Sequence, residues 1–266
     1  MSDDLQLPLA RTPFGASPSF LELVRHERPD AIPPALRDGG DALALPHGTT
    51  VLGLKFAEGM VMAGDRRATA GNLIADAKMR KVFPADDYSA IAIAGAAGQA
   101  AEMVKLFQLE LEHYEKITGS RLSLEGKANR LAQMIRENFP LALQGLVVVP
   151  LFGGYDERRT EGRIFYYDAT GGRWEEDDYQ STGSGSLPAK NSLKKTWRPG
   201  LARQDAIRVA VEALIDAAED DAATGGPDPA RRLYPVLLAV TAEGASEVPE
   251  DEVAAAVTAV LEERAR

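Results

Sequence analysis

The chain has 266 residues, 45% hydrophobic and 26% charged, a size and balance that suit one globular domain or one domain with an extension. A formal net charge of -10 argues against a phosphate-neutralising, nucleic-acid-binding surface. The absence of cysteine excludes disulfides, thiolate nucleophiles and sulfur-ligated zinc, and fits a cytoplasmic setting.

The opening Met1-Ser2-Asp3-Asp4-Leu5 is acidic and no apolar run follows it, so no signal peptide is expected. Residues 1–48 hold seven of the sixteen prolines, and Gly39-Gly40 adds flexibility. They read as a mostly irregular extension with one short helical stretch, Ser17 to His26, in which Phe20, Leu21 and Val24 recur at helical spacing as a small docking element. A tail without function is the alternative.

The pattern changes abruptly at Thr49. Thr50 to Phe56 is predicted as a strand, Glu58-Gly59 as a turn and Met60 to Ala63 as the hairpin partner. Asp65-Arg66-Arg67 leaves that strand, and Ala70-Gly71-Asn72 reads as a turn. Lys81 to Phe83, a turn at Pro84 to Asp87, and Ser89 to Ala94 continue the strands. Two amphipathic helices are predicted over Gly98–Ile117 and Ser123–Asn138, with apolar residues recurring at three and four. Strands follow at Gly145–Gly153, Gly162–Asp168 and Tyr179–Thr182, then helices at Leu187–Thr196 and Arg203–Asp220. A strand at Leu233–Thr241 and a helix at Glu250–Arg266 close the chain. The most apolar stretch, Leu146 to Phe152, is too short to span a bilayer, so no membrane role is expected. This order is neither alternating β-α-β nor all-β. The expected class is α+β: two sheets covered by helices on their outer faces, a four-layer α/β/β/α sandwich.

The histidines narrow the chemistry. Of His26, His47 and His113, only the last remains if the chain is cut before Thr49, and it reads as a helix residue among Glu110, Glu112 and Glu115. A Ser-His-Asp apparatus or a His-ligated metal site therefore has almost no material. Another base must serve any hydrolytic chemistry.

Gly48-Thr49-Thr50 offers one. A precursor that cuts itself at Gly48-Thr49 acquires a new N-terminus, with a hydroxyl nucleophile and a free α-amine on one residue. That amine has an ordinary pKa of about 7.7–8.0, near working pH, where a general base is most effective. An ammonium such as Lys81 would lower it and stabilise oxyanion character, and a carboxylate such as Asp65 would hold that ammonium charged. Gly95, between a strand and a helix, suits a backbone N–H donor to the oxyanion.

Each residue also has a structural reading. Asp65 after a strand is a turn residue, and Lys81 a solvated strand-edge lysine. Ser184 in Gly183-Ser184-Gly185-Ser186 is a helix-capping turn. Glu219-Asp220-Asp221 is a solvated helix end, and Thr224-Gly225-Gly226 the loop that stops it.

As a set, however, the motifs resemble those of a family. They are His47-Gly48-Thr49-Thr50-Val51, Met62-Ala63-Gly64-Asp65-Arg66-Arg67, Gly71-Asn72, Arg80-Lys81-Val82, Ala94-Gly95, Gly183-Ser184-Gly185-Ser186 and Asp220-Asp221-Ala222-Ala223-Thr224-Gly225-Gly226. In order and spacing they look like an actinobacterial-type proteasome β-subunit, within the N-terminal-nucleophile hydrolases. The resemblance covers essentially all of residues 47–266, and residues 1–48 look like a propeptide removed on maturation, leaving a catalytic domain over 49–266. It implies Thr49 as nucleophile and base, Asp65 and Lys81 as charged support and Gly95 as oxyanion donor. It implies that Ser184, Asp221 and Thr224 hydrogen-bond around the threonine. Ala68, Met79, Phe83, Ile93, Ala97 and Ala101 match primary-pocket positions, and the backbones of Thr69 and Ala97 match those that line an extended substrate. Because the pocket positions are uncharged and mostly small or apolar, cleavage after apolar residues is expected.

The resemblance further implies homo-heptameric β rings stacked in pairs, capped by rings of an α-type subunit and fed unfolded proteins by an ATPase ring in the cytoplasm. It implies neither cofactor nor metal, and neither a nucleic-acid nor a membrane partner. Two other readings remain at this point: a structural ring subunit that never processes, and a small-molecule amidase of the same nucleophile class.

Overall fold

The computed structural model describes residues 48–70 and 73–266. The helical stretch expected at Ser17–His26, and Gly71-Asn72 of one expected turn, lie outside the described residues.

Two five-stranded antiparallel sheets carry the fold. The first has the order β10-β1-β2-β11-β12, built from Tyr179–Gly183, Thr50–Phe56, Gly59–Gly64, Val236–Thr241 and Gly244–Glu247. The second has the order β5-β6-β7-β8-β9, built from Val82–Asp86, Ser89–Gly95, Val148–Asp156, Glu161–Tyr167 and Arg173–Glu176. A separate hairpin pairs β3 (Ala68–Ala70) with β4 (Leu73–Asp76). β1 is flanked on both sides, with Thr50 opposite Gly183 on β10 and Val51 opposite Gly64 on β2. Its residues are almost all buried, as expected for a strand covered on both faces.

The helices are α1 (Ala97–Thr118), α2 (Leu124–Glu137), a single turn α3 (Phe139–Ala142), α4 (Ser186–Thr196), α5 (Arg203–Asp220) and α6 (Glu250–Arg264). α1 buries Ala100, Met103, Val104, Phe107 and Leu111 along one stripe, and Gly119 ends it in the left-handed region at φ 71°. Ser123 caps α2 by accepting the Gly126 N–H at 3.1 Å. α6 opens on Glu250, Asp251 and Glu252, whose charges suit a helix N-terminus.

Three apolar clusters follow from these faces. One joins Leu52, Leu54, Val61 and Leu237 of the first sheet to α4, α5 and α6. A second joins Ile91, Ile93, Phe152 and Phe165 of the other sheet to α1 and α2, with the Phe107 ring edge-on to Phe152 at 5.7 Å. The third contains residues of both sheets, among them Val51, Met60, Met62, Ala92, Leu151 and Ile164. Burial of each Val, Leu, Ile, Phe or Met side chain among them contributes roughly 1.5–3 kcal/mol, so these clusters dominate the stability of the fold.

β1 and α5 fall where the sequence predicts them, and most other elements shift by one to three residues. The expected turn at Pro84 begins later, because β5 runs on to Asp86. β5 is an edge strand with an irregular register beyond Pro84, a setting that tolerates a residue without an N–H. The short elements β3, β4, β9, β12 and α3 were not expected. Among the described residues, no helix is long and apolar enough to cross a membrane.

Candidate active site

Thr49 immediately precedes β1 and is 5% exposed. Its amide N–H donates to Ser184 Oγ at 3.3 Å, and its hydroxyl donates to the Gly48 carbonyl oxygen at 2.7 Å. The Thr49 carbonyl accepts the Ser184 N–H at 2.8 Å. Gly183 makes this approach possible. It sits at φ 103°, and a Cβ there would lie 2.0 Å from the Thr49 oxygen.

Asp65 follows β2, and its backbone N–H donates to the Thr50 carbonyl at 3.1 Å. Its buried carboxylate is fully used. Oδ1 accepts the Thr50 N–H at 2.8 Å and Lys81 Nζ at 2.6 Å, while Oδ2 accepts the Arg67 N–H at 2.8 Å and the Gly225 N–H at 2.9 Å. Lys81 precedes β5, where its own carbonyl accepts the Ile93 N–H at 2.9 Å. Besides Asp65, its ammonium donates to the Arg67 carbonyl at 2.5 Å and the Gly48 carbonyl at 3.3 Å, which uses all three hydrogens. Burial pushes the Lys81 ammonium below its ordinary value of 10.5, against the charge and hydrogen bond of Asp65, which raise it. The solvated strand-edge reading of this lysine does not hold.

On the other side of Thr49, Asp221 Oδ2 accepts the hydroxyls of Ser184 and Thr224, each at 2.6 Å, and Oδ1 accepts the Ala223 N–H at 3.1 Å. Burial would raise this carboxyl, but those hydrogen bonds and the Lys81 charge hold it below its ordinary value. Thr224 is fully buried and its Oγ1 lies 2.5 Å from Thr50 Oγ1.

Thr49, Asp65, Lys81, Ser184, Asp221 and Thr224 thus form one connected hydrogen-bonded cluster around the Gly48-Thr49 bond. Gly95 is not tied into it by a hydrogen bond among the described residues. It ends β6 at φ 115°, two residues beyond the Ile93 N–H that meets Lys81, and a Cβ there would lie 2.1 Å from the Val147 oxygen. Its backbone requires glycine whatever else it does.

Of the expected substrate-binding positions, Thr69 approaches Gly48 and Ile93 meets the Lys81 carbonyl. A Cβ on Gly48 would lie 2.5 Å from Thr69 Oγ1, on the β3 strand that also carries buried Ala68. Phe83 and Ile93 pack with the cluster beneath α1. Ala97 and Ala101 stand half-buried one turn apart on α1, and half-buried Met79 donates its N–H to Arg66. His113 is exposed on α1 and takes no part.

Sequence reading missed Thr50, Arg67 and Gly225. Arg67 and Gly225 meet Asp65 through backbone N–H groups, and only Gly225 carries a residue-type signal, since a Cβ there would lie 2.8 Å from Arg67 Cβ. Thr50 had one: a polar residue opening a strand in which Lys55 is the only other polar side chain.

A carbonyl with a hydroxyl beside it and an ammonium on its oxygen is an arrangement for acyl transfer. Comparison with known proteins finds relatives over nearly the whole chain. A family model described as "Proteasome subunit" matches residues 45–228. The chain is 53% identical over 264 residues to a protein of Streptomyces griseus subsp. griseus described as "Proteasome subunit beta", covering 97% of this chain and 92% of that one. It is 51% identical over 263 residues to a protein of Acidimicrobium ferrooxidans with the same description, covering 98% of this chain and 96% of the relative.

Proposed function

Because the chain belongs to the proteasome subunit family, we propose that it is the catalytic β-type subunit of a bacterial proteasome, a threonine endopeptidase that first cuts itself at Gly48-Thr49. The observation that carries this reading is the pair of contacts on one oxygen: the Gly48 carbonyl accepts the Thr49 hydroxyl at 2.7 Å and Lys81 Nζ at 3.3 Å.

In the self-cleavage, Thr49 Oγ adds to the Gly48 carbonyl carbon, and the carbonyl oxygen takes up negative charge beside the Lys81 ammonium. The Gly48–Thr49 C–N bond then breaks and its nitrogen leaves with the hydroxyl proton, giving an ester. Water hydrolyses the ester, releases residues 1–48 and restores the hydroxyl. Before this step the Thr49 nitrogen is an amide and cannot act as a base, so residues 1–48 serve as a blocking propeptide and 49–266 as the catalytic domain. Afterwards the α-amine takes the hydroxyl proton as Oγ attacks a substrate carbonyl. Lys81, held by Asp65, keeps the amine's pKa low by like-charge repulsion. Ser184, Asp221 and Thr224 hold its nitrogen, and the Gly95 N–H serves the oxyanion.

The three apolar clusters support a four-layer α/β/β/α sandwich, with α4, α5 and α6 outside one sheet and α1 and α2 outside the other. The proposed assembly is homo-heptameric β rings stacked in pairs, capped by α-type rings and served by an ATPase ring in the cytoplasm. Such confinement would keep a nonspecific peptidase away from folded proteins. Ala68, Met79, Phe83, Ile93, Ala97 and Ala101, all uncharged, support cleavage after apolar residues. A fluorogenic peptide panel checks this, and fastest cleavage after Arg or Glu would overturn it.

The deciding experiment is the intact mass of the chain assembled with its α-type partner, wild type beside Thr49→Ala. Loss of residues 1–48 in wild type alone is expected. An uncut wild-type chain in complete particles would remove the basis of this reading.

A further inference from the structure

Thr50 opens β1 with its side chain fully buried. A buried hydroxyl is costly unless bonded, and this one is bonded twice. Oγ1 accepts the Gly185 N–H at 3.0 Å and lies 2.5 Å from Thr224 Oγ1. A Cβ on Gly185 would sit 2.4 Å from Thr50 Oγ1, so the first contact requires glycine there.

The direction of the second contact follows from counting hydrogens. Thr224 Oγ1 gives its single hydrogen to Asp221 Oδ2 at 2.6 Å, so Thr50 must be the donor between the two threonines. The Ser184 hydrogen has a nearer acceptor in Asp221, at 2.6 Å, than in the Thr49 carbonyl, at 3.3 Å. That leaves Ser184 Oγ free to accept from the Thr49 nitrogen at 3.3 Å. A closed circuit results. It runs from the Thr49 nitrogen through Ser184, Asp221, Thr224 and Thr50, and returns to Thr49 along the chain. Every hydrogen in it points toward the carboxylate.

We propose that Thr50 is a positioning residue for the Thr49 reaction. Its hydroxyl fixes Thr224, and through it the Asp221–Ser184 pair that holds the Thr49 nitrogen. This rests on the reading of Thr49 as nucleophile.

The test compares Thr50→Val, which keeps the branched shape without the hydroxyl, with Thr50→Ser, which keeps the hydroxyl without the methyl. Both are assembled with the α-type partner beside wild type and Thr49→Ala. Thr50→Val is expected to lose about tenfold in kcat on an apolar fluorogenic peptide, with KM unchanged within about twofold. It should also shed residues 1–48 more slowly, while Thr50→Ser stays within about twofold of wild type in kcat. Wild-type kcat in Thr50→Val, or equal damage in Thr50→Ser, would overturn the inference, the latter by assigning the role to the methyl group. Should Thr50→Val fail to assemble, Thr50→Cys, whose thiol is a weak donor, takes its place: a lowered kcat supports the inference and an unchanged one overturns it. Turnover by Thr49→Ala would overturn the nucleophile reading itself. An inactive Thr49→Ala beside a wild-type-like Thr50→Val would overturn the positioning role alone.

Discussion

Lys81 Nζ and Asp65 Oδ1 meet at 2.6 Å, with side chains 1% and 0% exposed. Neither charge has water to fall back on, so each depends on the other and on the backbone groups around them.

Lys81→Ala should therefore do two separable things. It leaves a buried carboxylate without its partner, which costs about 3–5 kcal/mol of stability. It also removes the positive charge from the Gly48 oxygen. The expected outcome is a chain that keeps residues 1–48 and shows background peptidase activity. Adding Asp65→Asn should recover part of the stability, read by denaturant titration, and none of the activity. Recovery of turnover in the double variant would show that the lysine only balances a charge.

Gly48 is confined as tightly as the groups that act on it. A Cβ there would lie 2.5 Å from both Ala223 Cβ and Thr69 Oγ1. Gly48→Ala should displace the carbonyl from the Thr49 hydroxyl and slow the release of residues 1–48 by about tenfold or more, since small misplacements of reacting groups are costly. A mass-spectrometric time course of assembled particles measures this, and an unchanged rate would mean that the loop yields freely.

Asp221 ties stability to acidity. Its carboxyl is held below its ordinary value of 3.8, so the unfolded chain binds the proton more readily than the folded one. The stabilisation is present above 3.8 and is lost as the pH falls through the lower, folded value. Calorimetry from about pH 5 to pH 2 should show a shallower loss of Tm in Asp221→Asn than in wild type. Parallel curves would mean that other carboxyls govern acid unfolding.

Gly95→Ala should cost about 2 kcal/mol or more, because the variant must hold a left-handed backbone conformation against a carbonyl oxygen. Chemical denaturation of the assembled or unprocessed chain checks the loss. Near-native stability would mean that β6 can end in another conformation.

Much of this was legible in the sequence, for identifiable reasons. Thr50–Phe56 stands out as a short, mostly apolar run, because β1 is buried on both faces, and Arg203–Asp220 because Arg208, Glu212 and Asp216 recur at helical spacing among buried apolar residues. β4 was missed because all four of its residues are exposed, which leaves no alternation to read. β9 and β12 are short edge strands with the same weakness. Lys81 and Asp65 could be paired from chemistry alone. The link from Thr50 to Thr224 could not, since it spans 174 residues and depends on how β1 meets the loop after α5.

The pinning of Thr49 has a consequence for what cutting achieves. Chain ends are ordinarily the loosest part of a domain. The end proposed here would be made inside a sheet, with its carbonyl on the Ser184 N–H at 2.8 Å and the next N–H on Asp65 at 2.8 Å. Thr50 and Val51 already pair with strands on either side. Scission would alter which atoms are bonded while leaving them where they stand, so the new amine would begin its service with none of the fraying that a translated terminus has to overcome.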